Sequence, residues 1–208
     1  MQGLGKPFIL SETQTELAMK LRLGWMLLAL VLLGNNAFAF QKRTITQISF
    51  GSYQVSDSEA NLYGTRLAVG VKQLLDPNWA WFGAVSQGDA IGSEKINGIE
   101  YESTASSTAL TGGGEWRTQA AEDIEPFVGL GMIAESYSYD FTSPGSKTGK
   151  TSGTGLGPMA NLGVRFQLGQ SFIFIPTYQY SLLRYQTEAG DNASMISSGL
   201  YIALVFRF

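Results

Sequence analysis

The sequence predicts an all-β chain: an eight-stranded antiparallel up-and-down transmembrane β-barrel, preceded by a signal peptide. Three observations carry this. Long stretches alternate apolar and polar residues with period two, which places successive side chains on opposite faces of a strand. The segments between them alternate in length, longer Gly/Ser/Asp-rich ones with tight turns. The composition is 44% hydrophobic and only 15% charged, against the roughly 25% charged residues usual in soluble domains.

The same composition excludes several function classes. Mean hydropathy is near zero, at +0.03, which argues against a bundle of membrane-spanning helices. The formal net charge is −3 with no basic tract, so nucleic-acid binding has no electrostatic support. The chain contains no cysteine and no histidine. Disulfides, thiolate chemistry and a cysteine-linked lipid anchor are therefore absent, as are the commonest general base and metal ligand. No catalytic residue, metal or cofactor is expected.

One stretch is continuously apolar, "GWMLLALVLLG" at 24–34, and it is short of the roughly 20 residues a spanning helix needs. Lys20 and Arg22 precede it, and Ala37-Phe38-Ala39 follows. A basic segment, a short apolar segment and an A-x-A site form a secretory signal peptide, with cleavage expected after Ala39. Residues 1–18 do not belong to that pattern, whereas Met19 opens a well-proportioned signal peptide, so Met19 is the expected start; a retained, uncleaved helix is the alternative. The expected organisation is an extension and signal peptide over 1–39 and a barrel domain over 40–208. Removing Lys6, Lys20, Arg22, Glu12 and Glu16 from 14 basic and 17 acidic residues leaves 11 and 15, a net of −4.

Eight strands follow in order: 44–55, 61–75, 79–88, 98–117, 125–141, 154–168, 171–186 and 192–208. The first, third and fourth alternate less cleanly than the rest; in "ESTASSTALTGGGEWR" the apolar face is thin. In the second, Tyr63, Thr65, Leu67, Val69 and Val71 oppose Gly64, Arg66, Ala68, Gly70 and Lys72. In the fifth, Val128, Leu130 and Met132 oppose Gly129, Gly131 and Glu135. In the sixth, Leu162, Val164, Phe166 and Leu168 oppose Asn161, Gly163, Arg165 and Gln167. The seventh carries Pro176 in mid-strand, where a missing ladder donor predicts a bulge or a local break. In the eighth, Leu200, Ile202, Leu204, Phe206 and Phe208 share one apolar face. The segments are longer than the about 5–6 residues of ordinary strands, and long, tilted strands are what crossing a bilayer requires.

Loops after strands one, three, five and seven are the longer ones, "SDSEA", "GDAIGSEKIN", "TSPGSKTGKTSG" and "TEAGD"; those after two, four and six are "DPN", "TQAAEDIE" and "GQ". An up-and-down barrel with one rim outside and one in the periplasm produces this asymmetry. Trp79, Trp81, Trp116, Phe127, Phe172 and Phe208 lie toward the short-turn rim. Tyr53, Tyr63, Tyr101, Tyr137, Tyr139 and Tyr185 lie toward the long-loop rim. Two interfacial aromatic belts are the expectation. With its apolar faces turned inward, the same alternation would build a secreted β-sandwich or lipocalin-like barrel; strand length and the terminal phenylalanine favour the membrane form.

Over about residues 40–208 the chain resembles the small eight-stranded outer-membrane barrels of the OmpA-like and OmpX/Ail/Opa-type porin family. The resemblance rests on the signal peptide, on "EPFVGLGMIAESY", on "NLGVRFQLGQSFIFIPTYQYS" and on the closing "LYIALVFRF". It implies residence in the Gram-negative outer membrane, in contact with lipid and lipopolysaccharide. It also implies that Phe208, Phe206, Leu204, Ile202 and Leu200 form the signal read by the outer-membrane assembly machinery. A last strand that pairs with the first closes the barrel and removes both edges.

An eight-stranded lumen is just wide enough to be filled by side chains. The inward-facing charges are expected to be Arg66, Lys72, Glu115, Glu135, Arg165 and Arg207, forming either a paired internal plug or an ion path; pairing is what burial of charge demands. Enzymes known on this architecture look to a histidine that this chain lacks. The loops "QGDAIGSEKINGIEYES" and "DFTSPGSKTGKTSGTG" could meet a host or envelope partner, and Lys147 and Lys150 could meet lipopolysaccharide phosphates. The expected role is therefore a non-enzymatic structural or surface-exposed barrel, with loops available for adhesion or envelope integrity. The alternative is a narrow transporter for small hydrophobic molecules.

Overall fold

The computed structural model describes residues 44–56, 60–96, 99–142, 148–169, 172–187 and 192–206. The signal peptide, its cleavage site and the barrel's first residues, as well as Arg207 and Phe208, lie outside them. Eight strands follow one another: β1 (Thr44–Ser56), β2 (Ala60–Leu74), β3 (Trp79–Ile96), β4 (Ile99–Arg117), β5 (Ile124–Thr142), β6 (Thr148–Leu168), β7 (Phe172–Thr187) and β8 (Asn192–Phe206). Each pairs antiparallel with its neighbours, and β8 returns to β1, closing the barrel. Closure leaves no edge strand among the described residues, so the ladders run around the whole barrel, as a lipid environment requires.

The register fixes which side chains face outward. Ile48, Leu204, Phe50 and Ile202 meet across the closing seam, and all four are exposed. The outward face carries Leu67 and Val85, Leu110 and Leu130, Leu156 and Leu162, Leu182 and Leu200, forming an apolar band around the barrel. Leu130 alone leaves 68% of its surface open. A continuous apolar band of this kind on a water-exposed domain would drive association; around a closed barrel it is a lipid-facing surface.

The band stops well short of the long-loop rim. Past Leu67, Val85, Leu110 and Ala134, the outward residues become Thr65, Gln87, Thr108 and Ser136, then Asp89, Ser106 and Ser138, as the pairing Leu67↔Gln87 and Thr108↔Ser136 shows. Tyr63 and Ile91, paired across β2 and β3, are apolar exceptions. Strands β3 to β6 run on through this polar zone, at 18, 19, 19 and 21 residues, against 13 to 16 in the other four. They make a four-stranded wall, polar on its outer face, that rises beyond the apolar band.

This wall corrects two loop expectations. Most of "GDAIGSEKIN" is strand, with β3 paired to β4 as far as Ile96↔Ile99, and β6 begins at Thr148 inside the segment expected to be loop. The connection 97–98 is Asn-Gly, the dipeptide that favours two-residue hairpin turns.

The short turns are built locally. The Asp76 carboxylate accepts from the backbone N–H of Asn78 and Trp79, at 2.7 and 2.8 Å, closing the β2–β3 turn as an Asx turn. Gly169 takes a positive φ of 76° in the β6–β7 turn, a conformation available to glycine at little cost. Pro176 produces a break and no bulge. The β6–β7 register is unchanged on both sides, from Gly163↔Thr177 to Phe166↔Phe174, but Val164 and Arg165 are not bridged to Ile175 and Pro176. A second interruption in the same seam falls at Gly157 and Pro158, so both mid-strand prolines weaken one seam.

Candidate functional site

Among the described residues the lumen is where the chain concentrates buried charge, and it is ordered in layers. Three apolar clusters fill it: Tyr53, Leu62, Ala90, Tyr139 and Tyr201; Ala109, Ile133, Met159, Leu183 and Tyr185; and Phe127, Ile173, Ile175, Ala203 and Val205. Two ionic clusters lie among them.

The first joins opposite walls. Arg66 on β2, only 2% exposed, reaches across to β5, where its Nη2 donates to Glu135 Oε1. The same Nη2 donates to Ser107 Oγ on β4 at 2.9 Å. Tyr185 on β7 donates its hydroxyl to Glu135 Oε2 at 3.1 Å. The guanidinium lies 4.3 Å from the centre of the Tyr53 ring on β1, a cation–π contact strengthened by burial. Five strands thus meet on one ion pair.

The second cluster lies toward the short-turn rim. Lys72 Nζ on β2 donates to Glu115 Oε2 on β4 and sits 4.5 Å from the Phe127 ring centre. Arg165 on β6 bridges two carboxylates, Glu115 at 3.4 Å and Glu125 at 2.9 Å. Arg117 also meets Glu125, at 3.3 Å, and its Nε donates to the Pro77 carbonyl at 2.9 Å. That last bond ties the network to the β2–β3 turn.

Of the six inward charges expected from sequence, Arg66, Lys72, Glu115, Glu135 and Arg165 are buried in these two clusters; Arg207 lies outside the described residues. Leu200, Ile202 and Leu204 of the C-terminal face point outward. Nothing is described of the Phe206 side chain or of Phe208. Arg117 and Glu125 were not anticipated, although two-residue parity with Glu115 and Phe127 places both on the inner face.

The aromatic belts need correction. Tyr53, Tyr139 and Tyr185 are buried in the lumen, and Phe127 lies inside beneath Lys72. Their position along the strand fits a belt; their parity turns them inward, where Tyr53 and Tyr185 serve as partners of Arg66 and Glu135. Trp79, Trp81 and Trp116 do face outward near the short-turn rim, with Trp79 paired to Trp116, while Tyr63, Tyr178 and Tyr180 are outward tyrosines. Lys147 lies outside the described residues, as does the side chain of Lys150.

Between the ionic clusters is a cavity of about 70 Å³. Among the described residues no group of three or more acidic side chains could hold a metal ion. The lumen therefore offers paired charges and a small chamber of mixed polar and apolar lining.

No protein-family model matches the chain, and no curated protein matches it. Solved structures do. Ail, the attachment invasion locus protein of Yersinia pestis, in complex with the heparin analogue sucrose octasulfate, aligns over 80% of this chain and 100% of its own, at 17% identity and a TM-score of 0.51. Neisserial surface protein A aligns over 79% and 97%, at 12% identity and a TM-score of 0.51. A major outer membrane protein from Thermus thermophilus aligns over 79% and 99%, at 11% identity and a TM-score of 0.54. With its eight strands, closed antiparallel order and outward apolar band, the chain has the fold of the small eight-stranded outer-membrane β-barrels of the OmpX/Ail type.

Proposed function

We propose that the protein is a non-enzymatic, integral outer-membrane barrel whose lumen is a structural plug and whose long-loop rim is its working surface. The observation that carries this is the contrast between the two ends of the strands. Inside the apolar band the lumen is crossed by paired charges, while beyond it β3 to β6 continue as a polar wall. Strands that only needed to span a bilayer would stop at the band. Export through a signal peptide cleaved after Ala39, contact with lipid and lipopolysaccharide, and assembly through a signal ending in Phe208 belong to the same proposal.

The chemistry of the rim narrows its partner. By sequence the rim segments hold Asp57, Glu59, Asp89, Glu94, Glu100, Glu102, Asp140, Glu188 and Asp191 against Lys95, Lys147, Lys150 and Arg184. Ail was crystallised with a polysulfated ligand; nine carboxylates against four cations would repel such a polyanion here. A neutral or cationic surface, of a host cell or of the envelope itself, fits this rim better.

Fractionation and heat-modifiable migration test the barrel, and adhesion of whole cells tests the rim. The protein should fractionate with the outer membrane and run as a compact band when unheated. Cells displaying it should bind target surfaces more than cells displaying a form with 89–104 and 138–152 trimmed to short turns. A soluble periplasmic product would overturn the first part. Equal binding by both forms would overturn adhesion and leave an envelope role. Passage of small apolar solutes in liposome swelling would instead favour the transporter, for which the two proline breaks in the β6–β7 seam are the supporting feature.

A further inference from the structure

We infer that the cavity between the two ionic clusters is a binding site for a small inorganic anion of about the size of chloride. Its walls include two buried cations, Arg66 above and Lys72 below, and no aspartate or glutamate. The carboxylates that neutralise them, Glu135 and Glu115, do not line it. Both cations thus present positive charge to a space that contains no negative charge. In a medium of low dielectric that field is screened little.

The unsatisfied donors of Arg66 point the same way. Arg66 binds its partners through Nη2 alone, and its Nε and Nη1, both buried, have no hydrogen-bond partner. Guanidinium donors left bare in a closed interior are costly. Ser49, Ser86 and Thr177 also line the cavity with hydroxyls that rotate to donate, whereas the Thr111 hydroxyl already donates to the Ala84 carbonyl at 3.3 Å. Asn161 and Gln47 line it too, with side-chain oxygens that are buried and unpartnered. Exchanging oxygen and nitrogen in either amide, which leaves its shape unchanged, turns it into a donor. The wall therefore sets two cations and several hydroxyl and amide groups among the apolar side chains of Phe82, Phe127, Met159 and three alanines.

Volume sets the size of the ligand. At roughly 10–15 Å³ for each water position, about 70 Å³ accommodates a halide or a comparably small anion with a few waters and excludes nucleotides. Water would satisfy the same donors; a halide differs from it by its charge, and the test below reads that difference.

The test uses the protein extracted in detergent from the membranes of an expressing host. Crystals are grown with sodium bromide in place of sodium chloride, and the unfolding midpoint is measured in chloride and in gluconate at equal ionic strength. The expected results are an anomalous bromide peak in the cavity beside Arg66 and Lys72, and a midpoint about 2–4 °C higher in chloride. The paired neutral variant, Arg66→Met with Glu135→Gln, should lose that difference; the comparison on the unaltered protein stands even where the variant does not fold. An empty cavity overturns the inference. So does a peak with no chloride-specific midpoint, which is binding at crystal concentration only, and so does a midpoint difference that persists in the neutral variant.

Discussion

Arg66 on β2 and Glu135 on β5 meet inside the barrel from opposite walls, and no strand pairing links their two strands. The ion pair is thus a strut across the lumen as well as a neutralised pair of charges. A buried pair need not be more stable than an apolar filling of the same volume, but removing one member strands the other in a low-dielectric interior.

Glu135→Gln alone, or Arg66→Met alone, should therefore lower stability by about 3–5 kcal/mol. The double replacement should cost much less than the sum. Urea unfolding in lipid vesicles, arranged as a double-mutant cycle, measures this. Additive losses would mean that the two charges do not depend on each other and that the strut is not energetic.

What the sequence could reveal follows from which constraint acts on each face. Where lipid lies outside and the plug inside, the two faces of a strand want opposite chemistry, and alternation is plain: Leu162, Val164 and Leu168 against Asn161, Gly163 and Arg165. The upper halves of β3 to β6 have no lipid on either face, so "ESTASST" shows only a thin apolar stripe, and the upper part of β3 reads as loop although Asn97-Gly98 is a hairpin signal. The tyrosines misled for a different reason. Height along the strand suggested a belt, whereas orientation is set by parity, and Tyr53 shares parity with Gly51, opposite Phe50. The ion network was half legible: parity selects inward charges, but which of them meet depends on barrel closure, which brings β2 to face β5.

Leu130 sits in the apolar band, whereas Thr104 on β4 sits in the polar wall above it. Leu130→Arg should cost about 2–4 kcal/mol in a bilayer and Thr104→Arg about 0–1. The same unfolding assay in lipid vesicles compares the two. Equal costs at the two positions would remove the band as a lipid-facing surface.

Glycine at 157 is required by close approach. A methyl group there would run into the Leu182 carbonyl of β7, whereas one at Gly114, which faces outward, would touch nothing. Gly157→Val should exceed the roughly 1–3 kcal/mol of ordinary overpacking and reduce the fraction of compact, heat-modifiable protein. Gly114→Ala should stay within about 0.5 kcal/mol of the parent. If Gly157→Val assembles normally, the β6–β7 seam is looser than its backbone spacing implies.

Trp79, Trp81 and Trp116 face outward together near the short-turn rim, and indole rings favour the interface, where an apolar body meets lipid and the N–H meets water. In the barrel without residues 1–39 these are the only tryptophans, so intrinsic fluorescence reports on that rim alone. In vesicles made with brominated lipids, bromines near the head group should quench the emission more strongly than bromines near the end of the acyl chain. Replacing Trp81 with Phe should remove the largest share of the quenchable signal, since Trp81 is the most open of the three at 60% exposed. Stronger quenching from the acyl-chain end would put this rim in the middle of the bilayer. The lipid slab would then have to shift down every strand by the same amount, burying the short turns with Asp76 and Asp123 and leaving Leu67, Val85 and Leu110 in water, which the polarity of the turns and the apolar character of the band both oppose.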